Sequence, residues 1–203
     1  GKKMDYNERK GWDHLWIVDP LDGTKEFIKR NGEFTVNVAL VQNGAPILGV
    51  IYVPIKKELY FAHSELGSFK MERVGTSTQM PEKLGDLIEH AIKLPEEQKR
   101  NYTAVGSRSH MSEETESFIN GLKEEHGEVE ILSRGSSLKI CMVAEGSADV
   151  YPRFAPTMEW DTAAGQAIAE CAGFEMVKHD VETSLEYNKE DLLNPWFIVR
   201  KPK

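Results

Sequence analysis

The residues best suited to chemistry are two aspartates in one short segment, Asp19-Pro20-Leu21-Asp22-Gly23-Thr24. The apolar run before them, residues 15–18, predicts a short buried strand that ends at these carboxylates. Carboxylate oxygens bind hard cations such as Mg²⁺, which is usually held by few protein carboxylates together with substrate phosphate. Gly23 and Thr24, at a predicted helix start, would add backbone N–H donors for that phosphate. The same residues also fit an ordinary turn, because Asp-Pro and Asp-Gly are common turn dipeptides.

A third aspartate, Asp161, lies far along the chain in the segment 160–165, Trp-Asp-Thr-Ala-Ala-Gly. It precedes a predicted helix of small residues that runs toward Cys171. Taken alone, Asp161 is most simply a helix N-cap, because its carboxylate can accept a backbone N–H at the helix start. Taken with Asp19 and Asp22, it is a candidate for the third carboxylate of a multinuclear metal site.

Segments 19–24 and 160–165 together resemble the two signatures of the inositol monophosphatase superfamily, whose members are Mg²⁺-dependent, lithium-sensitive phosphatases. The resemblance extends over essentially the whole chain. Within the superfamily, residues 22–35, 106–110 and 151–153 are similar to the 3′(2′),5′-bisphosphate nucleotidases of the bacterial CysQ type. The fold implied by this resemblance is a layered α/β sandwich of the αβαβα, sugar-phosphatase-like kind.

The resemblance also implies a metal site with two or three Mg²⁺ ions and inhibition by Li⁺. In that site Asp19 bridges two metals, the carbonyl of Leu21 binds one of them, and Asp22 and Asp161 bind the other. Gly23 and Thr24 hold the scissile phosphate, and the Thr24 hydroxyl helps to orient or deprotonate the attacking water. A helix N-cap is the alternative role for Thr24.

For the substrate, the resemblance implies that Ser107 and His110 contact the nucleotide and that Gly135 and Lys139 lie along its phosphate or sugar. Arg153 could pair bidentately with a terminal phosphate. A histidine in a loop often has no special role, and a solvated salt bridge is an equal alternative for Arg153. Lys139 is the more suggestive residue, because it lies in an otherwise apolar predicted helix.

The implied activity is removal of the 3′-phosphate of adenosine 3′,5′-bisphosphate by a cytoplasmic monomer or homodimer, with peripheral association at the inner face of the membrane as an alternative location. An inositol monophosphatase or sugar-bisphosphatase would share the metal site and differ in the substrate pocket. The family pattern also places a Glu-Glu metal ligand just before a stretch such as Gly1-Lys2-Lys3, and a water-activating aspartate further upstream. Neither is in this sequence, so a catalytically silent nucleotide- or metal-binding fragment is a third possibility.

Composition limits the class of partner. The 203 residues are 40% hydrophobic and 29% charged, with a formal net charge of −8, which is typical of a soluble globular protein. This acidic balance disfavours a nucleic-acid polymer but permits a small phosphorylated substrate, because bound metal ions reverse the local field. No apolar stretch is long enough to span a bilayer. The two cysteines, Cys141 and Cys171, are expected to be reduced core residues.

Two patterns organise the elements that must position these residues. The first half predicts an antiparallel meander, and the second half predicts alternating strands and helices, with a boundary near residues 94–99. This predicts an N-terminal metal and phosphate subdomain over residues 1–98, truncated at its start, and a mixed-sheet α/β substrate-recognition subdomain over residues 99–203, with the site in the cleft between them. The predicted strands are 34–41, 47–53, 58–62, 67–71, 102–105, 128–132, 148–151 and 196–199; the predicted helices are 112–126, 136–145 and 162–171.

Overall fold

The computed structural model describes residues 4–75, 81, 83–106 and 111–203. Its helices are α1 Tyr6–Arg9, α2 Thr24–Lys29, α3 Leu84–Glu89, α4 Glu113–His126, α5 Leu138–Ala144 and α6 Glu159–Cys171. Its strands are β1 His14–Asp22, β2 Thr35–Gln42, β3 Ala45–Val53, β4 Glu58–His63, β5 Gly67–Met71, β6 Ile92–Lys93, β7 Tyr102–Val105, β8 Val129–Leu132, β9 Val150–Arg153, β10 Glu175–Lys178 and β11 Phe197–Arg200.

The first half of the chain forms a six-stranded antiparallel sheet in the order β1-β2-β3-β4-β5-β6. Strand β2 alternates buried and half-buried residues, as expected when one face of a strand packs on a core. The predicted meander is therefore confirmed. Strand β1 lies at the edge of the sheet, and it contains the aspartate segment within its own length.

The prediction that residues 15–18 form a buried strand is wrong on burial. Trp16 is 58% exposed and Val18 is 51% exposed, whereas Leu15 and Ile17 pack against the main core. An uninterrupted apolar run predicts a strand but does not show which of its faces is covered, because successive side chains point to opposite faces.

The second half forms a five-stranded mixed sheet in the order β10-β11-β9-β7-β8. Strand β7 pairs in parallel with β8 and β9, whereas β11 pairs antiparallel with β9 and β10. Helix α4 packs on the strands β8 and β9. Ser112 is its N-cap, and the Ser112 hydroxyl accepts a hydrogen bond from the Thr115 N–H at 3.3 Å.

Helices α5 and α6 form the layer between the two sheets. Helix α6 contacts β1 to β5 and β10, while α5 contacts β7, β9 and β11. The main hydrophobic core accordingly draws residues from both sheets and both helices. Gly49 lets α6 approach β3 closely, because a Cβ at that position would overlap the Ala164 carbonyl oxygen. The layered α/β sandwich expected from the sequence is the observed architecture.

Several local predictions need correction, including the strand predicted at 148–151, which is observed at Val150–Arg153. Helix α6 begins at Glu159 rather than at residue 162, so Asp161 lies inside its first turn. The short helix over residues 6–9 was not among the predicted elements. Strand β10 was not predicted from the sequence. The helices of the described ranges include none with the length and hydropathy that a bilayer span requires.

Candidate metal and phosphate site

An irregularity in β1 brings two carboxylates to one place. Asp19 pairs with Asn37 and Asp22 pairs with Thr35, so three steps along β1 oppose two steps along β2. Residues three apart in a regular strand point to opposite faces, and an extra residue of this kind re-aims the side chains that follow it. Pro20 fits here because an edge strand tolerates a residue without a backbone N–H.

The third carboxylate comes from the first turn of α6. Asp161 occupies the third helical position, and its Oδ2 accepts a hydrogen bond of 2.7 Å from the N–H of the N-cap residue Met158. Asp161 therefore does cap the helix, as a reach-back acceptor rather than as the N-cap residue. Asp19, Asp22 and Asp161 each offer one carboxylate oxygen, and these three atoms lie within 4.8 Å of one another.

The carboxylate triad, Asp19, Asp22 and Asp161, brings three like-charged groups together. Burial raises the pKa of Asp161 to about 6, the Met158 N–H opposes that rise, and the charges of Asp22 and Asp19 add to it. Burial also raises the pKa of Asp19, the Leu21 N–H opposes this, and the charge of Asp22 adds to it. Like charges this close resist joint ionisation, and a bound divalent cation would reverse that effect.

The donor set fits Mg²⁺. All three side chains are hard oxygen ligands of the kind Mg²⁺ prefers, and a few carboxylates plus substrate phosphate is its usual environment in proteins. Asp22 is firmly held: its Oδ2 accepts hydrogen bonds from the Ser137 N–H at 2.7 Å and the Ser137 hydroxyl at 2.6 Å. The longer contacts to Oδ2 are from Thr35 Oγ1 at 3.3 Å and Asn37 Nδ2 at 3.4 Å.

A cavity adjoins the triad and collects most of the predicted substrate residues. Its lining includes, from the predicted set, Asp22, Gly23, Gly135, Lys139, Arg153 and Asp161. These residues come from both halves of the chain.

Lys139 and Arg153 bring positive charge to this cavity. The Lys139 ammonium donates to the carbonyl oxygens of Ser136 at 2.9 Å and Arg134 at 3.3 Å. Burial, and secondly the charge of Arg153, lower the pKa of Lys139 to about 8. The Arg153 Nη2 donates to Pro156 O at 3.2 Å. Within the described ranges Arg153 forms no ion pair, and its buried Nε has no hydrogen-bond partner. Both cations are thus positioned to donate hydrogen bonds to an anion in the cavity.

A second cavity continues from the first and shares Lys139 and Arg153 with it. It extends along Glu33 to Gly106 and Met111. The predicted nucleotide contacts Ser107 and His110 lie outside the described residues.

Leu21, Gly23 and Thr24 flank Asp22 in the chain, where β1 ends and α2 begins. Gly23 is the N-cap of α2 with φ +85°, a left-handed conformation that glycine adopts without strain. Thr24 is the first helical residue and is exposed, so the alternative role of Thr24 as the N-cap is wrong. The Leu21 N–H donates to Asp19 Oδ1 at 3.0 Å, and the role of the Leu21 carbonyl stays a prediction.

Sequence reasoning missed several residues that shape the site. Glu33 Oε2 accepts the Gly135 N–H at 2.7 Å, which ties the loop after α2 to the loop before α5. Ser136 has φ +47°, and its buried hydroxyl has no partner among the described residues. Ser137 and Asn37 surround Asp22. Glutamates, serines and asparagines are common on any surface, so no local pattern distinguished these residues before the fold was known.

Comparison with known proteins finds relatives that match most of the chain. Residues 1–201 match the model of the inositol monophosphatase family. The chain is 46% identical over 193 residues to the 3′(2′),5′-bisphosphate nucleotidase CysQ of Salmonella typhimurium, a match covering 94% of this chain and 70% of the relative.

Solved structures show the same relationship. A crystal structure of CysQ from Bacteroides thetaiotaomicron superposes with a TM-score of 0.93 at 61% identity, covering 98% of this chain and 74% of that one. An inositol monophosphatase-II structure from Staphylococcus aureus MSSA476 has a TM-score of 0.69 at 18% identity, over 93% of this chain and 62% of that one. At that identity the second likeness shows the shared fold alone.

Proposed function

The chain belongs to the inositol monophosphatase family, and we propose that it removes the 3′-phosphate of adenosine 3′,5′-bisphosphate, giving AMP and phosphate. The observation that carries this proposal is the convergence of Asp19, Asp22 and Asp161 within 4.8 Å, beside a cavity whose walls supply Lys139 and Arg153. A carboxylate cluster next to two cations suits a substrate with phosphate groups and a metal cofactor.

Mg²⁺ is the proposed cofactor, held by Asp19, Asp22 and Asp161. When bound, it supplies charge neutralisation at the phosphate ester and activation of water. We expect two or three ions, a further ligand from the Leu21 carbonyl, and inhibition by Li⁺.

The chain's own residues have separate roles in this proposal. Gly23 presents backbone to the scissile phosphate, because a residue without a side chain lets an anion come close. The Thr24 hydroxyl at the start of α2 orients or deprotonates the attacking water. Lys139 and Arg153 bind the second phosphate or the sugar. Gly135 lines the same cavity and lies along these substrate groups. Ser107 and His110 contact the nucleotide.

The nucleotide assignment is supported by the names of two relatives, which are 3′(2′),5′-bisphosphate nucleotidases at 46% and 45% identity. The elongated pair of cavities also favours a substrate longer than one phosphorylated ring, since Lys139 and Arg153 line both of them. A cytoplasmic location and a monomeric or homodimeric state stay predictions, and light scattering coupled to size-exclusion chromatography would decide the second.

The test is phosphate release by protein expressed from its complete coding sequence, with Mg²⁺ and either adenosine 3′,5′-bisphosphate or inositol 1-phosphate. We expect release from the nucleotide, with 5′-AMP as the product identified by ³¹P NMR. Release from inositol 1-phosphate alone would replace the nucleotide assignment with the monophosphatase one. Turnover that persists in excess chelator would overturn the metal-dependent mechanism.

A further inference from the structure

Ser137 lies where four elements meet. It is the N-cap of α5 and only 3% exposed. Its hydroxyl is 2.6 Å from Asp22 Oδ2 at the end of β1 and 2.9 Å from the Asp161 carbonyl oxygen in α6. The side-chain nitrogen of Asn37, in β2, donates to the same hydroxyl at 2.8 Å. A single buried side chain thus links the strand that carries two carboxylates of the triad to the helix that carries the third.

The hydrogen-bond directions at this hydroxyl are constrained. Asn37 Nδ2 is a donor only, so it occupies a lone pair of the Ser137 oxygen. The one hydroxyl hydrogen is then shared between two acceptors, Asp22 Oδ2 and the Asp161 carbonyl. The shorter distance and the negative charge favour Asp22, because hydrogen bonds to an ionised acceptor are shorter and stronger.

The two oxygens of Asp22 are consequently unequal. Oδ2 receives both short hydrogen bonds from Ser137, whereas Oδ1 receives none from the residues the structure describes. A carboxylate fixed through one oxygen presents the other in a defined direction. Residues that hold a ligating carboxylate in this way set its orientation toward the metal.

We propose that Ser137 is a positioning residue of the metal centre: its hydroxyl fixes Asp22 through Oδ2, ties it to the first turn of α6, and keeps Oδ1 for the cation. This inference rests on the metal site of the proposed function. The Ser137 hydroxyl is engaged by Asn37, Asp22 and the Asp161 carbonyl, so its effect on the cation passes through Asp22.

The experiment compares Ser137→Ala with the wild-type protein and with Ser147→Ala. Ser147 is a matched control because its partly buried hydroxyl bonds only near its own turn, to Met142 O at 3.0 Å and Glu145 Oε1 at 2.8 Å. Mn²⁺ binding is measured without substrate by electron paramagnetic resonance, and thermal unfolding is measured in chelator. A purely structural serine would lower the unfolding temperature without weakening metal binding by the folded protein.

We expect Ser137→Ala to bind Mn²⁺ about 10- to 100-fold more weakly, the usual loss when a partner of a metal ligand is removed. Ser147→Ala should bind like the wild type. Equal Mn²⁺ affinity in Ser137→Ala and wild type would overturn the inference while leaving the proposed function standing. Absence of Mn²⁺ binding by the wild type would overturn both.

A second variant keeps the test decisive if Ser137→Ala does not fold. Ser137→Cys fills the position that alanine leaves empty, but it replaces the hydroxyl with a bulkier and weaker donor. Its Mn²⁺ affinity should fall below that of the wild type, and wild-type affinity in this variant would refute the positioning role. In assays of phosphate release, both Ser137 variants should raise the Mg²⁺ concentration needed for half-maximal rate by a larger factor than they raise the KM for substrate.

Discussion

Replacing Asp22 with asparagine isolates one ligand of the proposed metal site. Asp22 Oδ2 faces two donors on Ser137, at 2.7 Å and 2.6 Å. The amide oxygen of an asparagine must take that position, because an amide NH₂ there would oppose the Ser137 backbone N–H. The NH₂ group then occupies the place of Oδ1, where it cannot bind a cation. The substitution therefore removes a ligand atom and a negative charge together.

The magnitude follows from that double loss. Deleting one preorganised electrostatic group in an active site typically costs about 10²–10³ in kcat, or ~2.7–4 kcal/mol. We expect at least about a 10²-fold loss for Asp22→Asn on this scale. The fold should persist, since both short hydrogen bonds to Ser137 are retained. The charge of Asp22 repels ionised Asp161 and Asp19 and so raises their pKa values. Removing that charge relieves the repulsion, so the unfolding temperature in chelator should be unchanged or higher.

The assay is the rate of phosphate release from adenosine 3′,5′-bisphosphate as a function of Mg²⁺ concentration. Asp180→Asn is the matched control, because Asp180 is exposed in the turn after β10 and the substitution is chemically identical. The control should keep its rate at every Mg²⁺ concentration. Near-wild-type turnover of Asp22→Asn at limiting Mg²⁺ would refute the assignment of Asp22 as a ligand.

Three further predictions concern charge and packing. Lys139→Met should raise the KM for the bisphosphate with little change in kcat, measured by initial rates; an unchanged KM would remove Lys139 from the site. Because the pKa of Lys139 is lowered to about 8, kcat/KM should fall as the pH rises through about 8, where the ammonium loses its proton; this fall should disappear in Lys139→Met. Gly49→Ala should destabilise the fold by about 1–3 kcal/mol through overlap with Ala164 O, measured by urea unfolding. The same change at Gly121, in the exposed face of α4 with open space around it, should stabilise by up to about 1 kcal/mol.

Local chemistry was sufficient to predict much of the secondary structure. Helix α4 was predicted to within a residue, because Ser112 and Gly127 are end signals that act within a few positions of the chain. Strands β5 and β7 were predicted at their observed bounds, β5 as a continuation of the meander and β7 as a short strand in the alternating second half. The start of α6 was predicted too late. The N-cap residue Met158 has no polar side chain that would mark a helix start, whereas Asp161, inside the first turn, is a typical N-cap residue type.

The candidate site, too, was only partly predictable from local sequence. Residue type and the two motifs were enough to select Asp19, Asp22 and Asp161 as candidate metal ligands, because Mg²⁺ prefers oxygen ligands, carboxylates among them, whatever the fold. Their meeting within 4.8 Å depends on the irregular pairing in β1 and on the packing of α6 against that sheet. Neither feature is a property of a local sequence window.

The sequence by itself determined which groups could do the chemistry, since functional groups and short-range capping depend only on residues a few positions apart. The tertiary structure alone decided how those groups are held: Ser137 lies 115 positions from Asp22 in sequence, and Glu33 lies 102 positions from Gly135. Hydrogen bonds between such distant residues require the tertiary packing that brings the two segments together. The packing therefore decides which serine holds Asp22 and which glutamate holds Gly135, because neither residue type has such a role without the partner that the fold places beside it.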